Sequence, residues 1–233
     1  MKRISTIILL CIAISSMAYA QIGKYRNDWA VGVSGGYTLN KVSFNPTIKQ
    51  AFHTGPTFGI TGRYTCEKYF SMLCAIQTEI NYTQLGWSEL IETSTDTYQR
   101  DISYIQMPVL AHLGFGKERG GVKGFLALGP QIGYAIGEKE KRGGDWTLPL
   151  KRPNNVTAQY DMKVQKKFEY GLTGGIGMDV STKSGHHFIL EGRYYYALSD
   201  IFNNSKKDTF GRSANGAILA KLSYLFDVVK TKN

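Results

Sequence analysis

Phe188-Ile189-Leu190-Glu191-Gly192-Arg193-Tyr194-Tyr195-Tyr196-Ala197-Leu198 is the stretch on which the fold turns. Taken two residues at a time, it puts Phe188, Leu190, Tyr194, Tyr196 and Leu198 on one face and Glu191, Arg193 and Tyr195 on the other. Successive strand side chains point to opposite sides, so this is a strand with one oily and one polar face. The same period recurs elsewhere, giving predicted strands at 29–39, 57–66, 72–87, 102–115, 122–137, 168–180, 187–198 and 214–226. Connections 40–56, 88–101, 138–167 and 199–213 are long, whereas 67–71, 116–121 and 181–186 are short. Long links alternate with short ones, as expected of an all-β, eight-stranded antiparallel up-and-down transmembrane barrel. In an outer membrane the tight turns and both termini of such a barrel face the periplasm.

The other segments show which face meets lipid. Val31, Val33 and Tyr37 oppose Gly32, Ser34 and Thr38; Phe58 and Ile60 oppose Thr61 and Arg63; Ile76 and Ile80 oppose Gln77 and Glu79. Tyr170, Leu172 and Ile176 oppose Glu169, Thr173 and Asp179; Ile218, Leu222 and Tyr224 oppose Asn215, Lys221 and Ser223. Arg63, Glu79, Glu169, Glu191, Arg193 and Lys221 all share the polar face. An Arg or Lys facing mid-bilayer costs roughly 2–4 kcal/mol, so several would rival the stability of a whole domain, about 5–15 kcal/mol. The polar face is therefore expected inside. An eight-stranded interior is just wide enough for side chains to fill, and mixed charges there can pair. The expectation is an ion-paired plug rather than a pore.

Aromatic residues gather near strand ends, among them Trp29, Tyr37, Tyr64, Trp87, Phe125, Phe188, Tyr224 and Phe226. Rings suit the headgroup level, and these are read as an aromatic girdle. Phe226 closes the last strand, as in the terminal signal read by outer-membrane assembly machinery. Two strands are less regular. Leu110 falls beside Gln106 and His112, and Pro108 and Pro130 each remove a ladder hydrogen bond, marking either bulges or misplaced boundaries.

The chain opens Met1-Lys2-Arg3, runs apolar from Ile4 to Met17 and reaches Ala18-Tyr19-Ala20. This reads as a cleaved signal peptide over 1–20, followed by a barrel domain over 21–233. The apolar run is too short to span a membrane as a helix, and Cys11 is placed too early for a lipoprotein cysteine. No second stretch approaches spanning length, so a membrane-embedded chain must be a closed barrel. Cys66 and Cys74 flank a proposed tight turn, fitting either a disulfide across it or two small lipid-facing residues. The formal charge is +10. An exported basic chain meets outer-membrane lipids and lipopolysaccharide rather than nucleic acid, with envelope proteins as further partners. Segment 138–167 is the most basic loop, with eight Lys/Arg against four Asp/Glu.

Tyr104-Ile105-Gln106-Met107-Pro108-Val109-Leu110-Ala111 and Leu128-Gly129-Pro130-Gln131-Ile132-Gly133-Tyr134 come in order. They are followed by Tyr170-Gly171-Leu172, the glycine-rich 174–177, Leu190-Glu191-Gly192-Arg193-Tyr194-Tyr195-Tyr196 and Phe202-Asn203-Asn204. Together these segments resemble the PorT-like outer-membrane β-barrel proteins of Bacteroidetes. The resemblance implies an eight-stranded barrel in the bacterial outer membrane and makes Pro108 and Pro130 family features. The family pattern has Glu before the first proline and Lys after it, where this chain has Gln106 and His112. The family is named for a member implicated in type IX protein secretion.

Enzymatic readings find little purchase. His186 and His187 sit at a predicted turn, His53 in a predicted loop, and the interior His112 faces no evident serine nucleophile. Gly174-Gly175-Ile176-Gly177 lies within a strand and is no dinucleotide fingerprint. No Cys/His spacing suits a metal, and no cofactor is expected. A lipocalin-like soluble barrel would place the oily face inside; alternating loop lengths and aromatic strand ends disfavour it. The expectation is a non-enzymatic outer-membrane barrel with a structural or surface-interaction role through its long loops. The alternatives are an accessory component of type IX secretion and a narrow solute pore.

Overall fold

The computed structural model describes residues 24–92, 94–117, 119–146, 156–160 and 162–231. The predicted signal peptide lies outside these residues. The strands are β1 (Lys24–Asn45), β2 (Gln50–Ala51), β3 (His53–Tyr69), β4 (Met72–Glu89), β5 (Thr97–Gly116), β6 (Gly121–Gly143), β7 (Phe168–Ser181), β8 (His186–Ala197) and β9 (Arg212–Val229). The sheet order is β2-β4-β3-β1-β9-β8-β7-β6-β5, and a further β4–β5 pairing closes the ring. Eight long strands thus form an antiparallel up-and-down barrel, with the two-residue β2 added beside the end of β4.

Several strands outrun their sequence-predicted bounds at the long-loop end. β1 continues to Asn45, β5 begins at Thr97 and β6 runs to Gly143. A strand needs about 9–11 residues to cross the membrane, yet β5 has 20 and β6 has 23. The surplus forms a crown above the bilayer. Alternation fades there because water, not lipid, surrounds the wall: past Ile136, β6 reads Glu138-Lys139-Glu140-Lys141-Arg142. Residues 40–45, 50–51 and 53–56 of the first predicted loop, 88–89 and 97–101 of the second and 138–143 of the third are therefore paired sheet.

The outer wall carries Val33, Ile60, Ile76, Val109, Leu128, Leu172, Leu190 and Leu222, one from each long strand and all exposed. Leu222 is 66% exposed while its neighbour Lys221 is 1% exposed. A wall greasy outside and ionisable inside suits hydrocarbon, as lipid-facing and interior residues alternate in membrane barrels. It is the reverse of a soluble lipocalin-like barrel.

Pro108 and Pro130 mark neither bulges nor strand ends. Pro108↔Gln131 and Ala111↔Leu128 keep one register, with an interruption between them. The missing Pro130 donor opens this gap, and the missing Pro108 donor opens one in β4–β5 between Thr78↔Val109 and Asn81↔Gln106; neither shifts the register. The β5–β6 irregularity lies instead between Ser103 and Tyr104. Cys66 and Cys74 are free thiols. The β3–β4 register shifts between Thr65 and Glu67, so Glu67, not Cys66, opposes Cys74. The bulge turns Cys66 toward the backbone, where its Sγ donates to the Cys74 carbonyl at 3.2 Å.

Candidate functional site

The interior is stacked in layers, because inward residues at one height come from several strands. Nearest the short turns, Asp179 of β7 is met by Arg63 at 2.9 Å, Lys123 at 3.1 Å and His187 Nδ1 at 3.0 Å. His187 Nε2 lies 3.0 Å from Asp227. His112 stacks on Phe125 with ring centroids 4.4 Å apart. The next layer centres on Glu79. It accepts from both terminal nitrogens of Arg193, from Lys221 at 2.6 Å, and from Gln77 and Asn81 at 2.8 Å each. Glu191 holds the other side of Arg193, accepting from Nη2 at 2.7 Å. Above this, Glu169 is bonded by neutral donors, Tyr195 at 2.8 Å and Asn215.

Glu79, Glu191, Arg193 and Lys221 thus form one cluster, Arg63 belongs to a second, and Glu169 stands apart from both. Asp179, Lys123, His187 and Asp227 were absent from the network expected from the sequence. Asp179 lies on the polar face of its strand in the sequence, and inward parity is the signal that adds Lys123 as well. His187 is buried, not part of an exposed turn.

Above the polar layers lies an aromatic core. Trp87 is fully buried; its ring lies 5.1 Å from Phe44 and 6.3 Å from Phe202, and Phe210 packs 5.6 Å from Phe202. Two positions in the expected girdle are therefore corrected. Trp87 and Phe125 both point inward, because they sit at odd positions in strands whose even positions face lipid. The remaining girdle positions face outward: Tyr37 is 70% exposed, the tilted Trp29 and Tyr64 rings lie 4.7 Å apart, Phe188 lies 5.4 Å from Tyr224, and Phe226 is exposed.

The crown is tied by charges and folded loops. Arg100 pairs with Glu138 at 3.3 Å and with Glu140, and Lys141 meets Asp101 at 3.0 Å. Tyr160 donates to Glu89 at 2.6 Å. Part of the charge in the predicted basic loop is therefore spent on pairs within the wall. His53, expected in a loop, is buried in β3, with Nδ1 3.2 Å from Ser88 Oγ and Nε2 3.3 Å from Asp101. Burial holds its imidazole below the ordinary histidine range, outweighing the attraction of Asp101. The residue types are those of a hydrolytic triad, but the geometry is not. Nε2 is out of line for a hydrogen bond to Asp101, whose oxygens are engaged by Gln99 and Lys141. The contact braces the crown. Among the described residues no His, Cys, Asp and Glu group is arranged to hold a metal.

A family model described as an outer membrane protein beta-barrel domain matches residues 19–203. The chain belongs to this family, and its place is the bacterial outer membrane. Solved structures similar to it include Ail, the attachment invasion locus protein of Yersinia pestis, at 14% identity and TM-score 0.37, covering 84% of this chain and 98% of Ail. OprG from Pseudomonas aeruginosa is 14% identical, with TM-score 0.45 and coverage of 88% and 95%. The outer membrane enzyme PagL is 12% identical, with TM-score 0.40 and coverage of 85% and 98%. Comparison with curated proteins gives no match.

Proposed function

We propose that this protein is a non-enzymatic outer-membrane barrel that works as a rigid platform, presenting its extracellular crown to lipopolysaccharide or an envelope protein. The observation that carries this reading is the crown itself. β1, β5 and β6, each about twice the length needed to cross the bilayer, continue upward around a packed aromatic core that includes Phe202 and Phe210 from the last long connection. A wall that only had to anchor the chain would end at the headgroups; an elevated, internally packed end positions loops on a rigid scaffold. The ion-paired polar layers below it give the platform its floor and support a structural role for Arg63, Glu79, Glu169, Glu191, Arg193 and Lys221.

Replacing segment 144–167 with a short Gly/Ser linker and pulling down partners from native outer membranes tests the reading. Loss of the partners captured by the wild-type barrel supports it; an unchanged set refutes it. The quoted motifs around Pro108 and Pro130 support a finer, PorT-like assignment and with it a second reading, an accessory part in type IX secretion. Intact export of cargo from a gene deletion would remove that reading. The filled interior counts against a solute pore, and purified protein is expected to show no stable conductance in planar bilayers.

A further inference from the structure

A cavity of about 460 Å³ lies in the outside of the wall, near its extracellular end, where β1 and β9 pair. It falls within the range of small-ligand sites, roughly 300–1,000 Å³. One side is formed by Thr47 and Phe52, the other by Tyr194 and Tyr196, and the floor is the backbone where Lys41 opposes Gly216. Gly216 makes room: a Cβ there would meet Tyr194 Oη at 3.5 Å and the Lys41 carbonyl at 3.7 Å, ordinary contacts that the backbone tolerates. A longer side chain would extend into the cavity.

The lining is graded in polarity along the membrane normal. β1 rises and β9 descends, so Leu39 and Ile218 lie at the lower end, level with the hydrocarbon, and Lys41 and Ser43 lie above them. The Lys41 ammonium sits 4.2 Å over the Phe52 ring, at the mouth. Beside the lining residue Tyr196, the Arg212 guanidinium lies 5.5 Å from the ring centroid and donates to the hydroxyl. None of the described lining residues is acidic. The lower end excludes water and the upper end attracts an anion, a combination that neither a soluble metabolite nor a protein loop matches at this depth.

We propose that this groove docks one acyl lipid of the outer leaflet that carries a net-anionic phosphate, its phosphate between Lys41 and Arg212 and an acyl chain along Leu39 and Ile218. Arginine's planar fork and lysine's compact charge are both suited to phosphate oxygens. The inference depends on the barrel lying in a membrane and not on what the crown binds.

The test is native mass spectrometry of detergent-purified protein titrated with bisphosphorylated lipid A, dephosphorylated lipid A, phosphatidylcholine and inorganic phosphate. Wild type is expected to retain one bisphosphorylated lipid and to hold the dephosphorylated form about tenfold more weakly. Gly216→Leu, which fills the groove, and Lys41→Glu, which reverses its charge, are each expected to weaken retention by about tenfold or more. Heat-modifiable gel mobility reports that each variant barrel is folded; Ser43→Glu, at an exposed position, replaces Lys41→Glu if that variant does not fold. Equal retention by wild type and the folded variants overturns the proposal, as does equal retention of phosphatidylcholine. Crown partner capture is measured on the same proteins: failure of wild type to capture any partner would count against the platform reading alone, and lipid loss in Gly216→Leu with partner capture unchanged supports the groove.

Discussion

Replacing Glu79 with glutamine keeps the volume and removes one charge from the centre of the barrel. Glu79 is the carboxylate bound to Lys221, at 2.6 Å, and it shares Arg193 with Glu191. In the variant Arg193 keeps Glu191, but Lys221, 1% exposed, loses its bonded counter-charge. Breaking a buried ion pair from one side costs about 3–5 kcal/mol, because the remaining charge is left uncompensated. That is a large part of a domain's stability of about 5–15 kcal/mol. At a urea slope of about 2 kcal/mol per molar, the unfolding midpoint should fall by about 2 M. The assay is urea unfolding in lipid vesicles, read by tryptophan fluorescence and heat-modifiable mobility. The double variant Glu79→Met with Lys221→Met removes both charges and leaves Arg193 on Glu191, so it should recover most of the loss. A cost under about 1 kcal/mol for Glu79→Gln, or a double variant no better than the single, would refute the view that paired charges hold the interior.

Trp87→Ala should cost about 3–5 kcal/mol, as for other buried aromatic truncations, with the damage at the crown; limited proteolysis should cut connections 90–96 and 144–167 faster while heat-modifiable mobility persists. Cys66 and Cys74 should both take up maleimide in denaturant without prior reduction, and a mass showing modification only after reductant would restore the disulfide. His53 makes crown stability depend on pH. Its folded-state pKa is lowered from 6.5, so the unfolded chain binds the proton more readily, stability is full above about pH 6.5 and it falls as the pH drops through and below that value. Protease resistance of the crown should weaken between pH 7.5 and 5 in wild type and lose this dependence in His53→Gln.

The layers differ in how readable they were. The membrane-crossing part of each strand was legible because lipid on one side and a polar interior on the other impose a two-residue alternation, visible in Val31 and Val33 or in Leu222 and Tyr224. The crown was not, since residues such as Lys139 and Lys141 face water, where polar residues sit on both sides of the wall. Trp87 and Phe125 were assigned to the girdle for their chemistry, although their parity pointed inward. An aromatic residue suits either a headgroup belt or a packed core, so residue type alone does not choose.

The sequence by itself determined the architecture: eight alternating segments, joined by short and long links in turn, leave a closed membrane barrel as the arrangement that satisfies backbone and side chains together. It also determined the sign of each face, because unpaired charge in hydrocarbon costs more than a domain can sustain. Only the tertiary structure decided which charges meet. Glu79 and Arg193 are separated by 114 residues and Arg63 and Asp179 by 116, and such pairings depend on barrel closure and register. The bulge that parts Cys66 from Cys74, the aromatic core of the crown and the groove beside Gly216 likewise arise where distant strands are brought side by side.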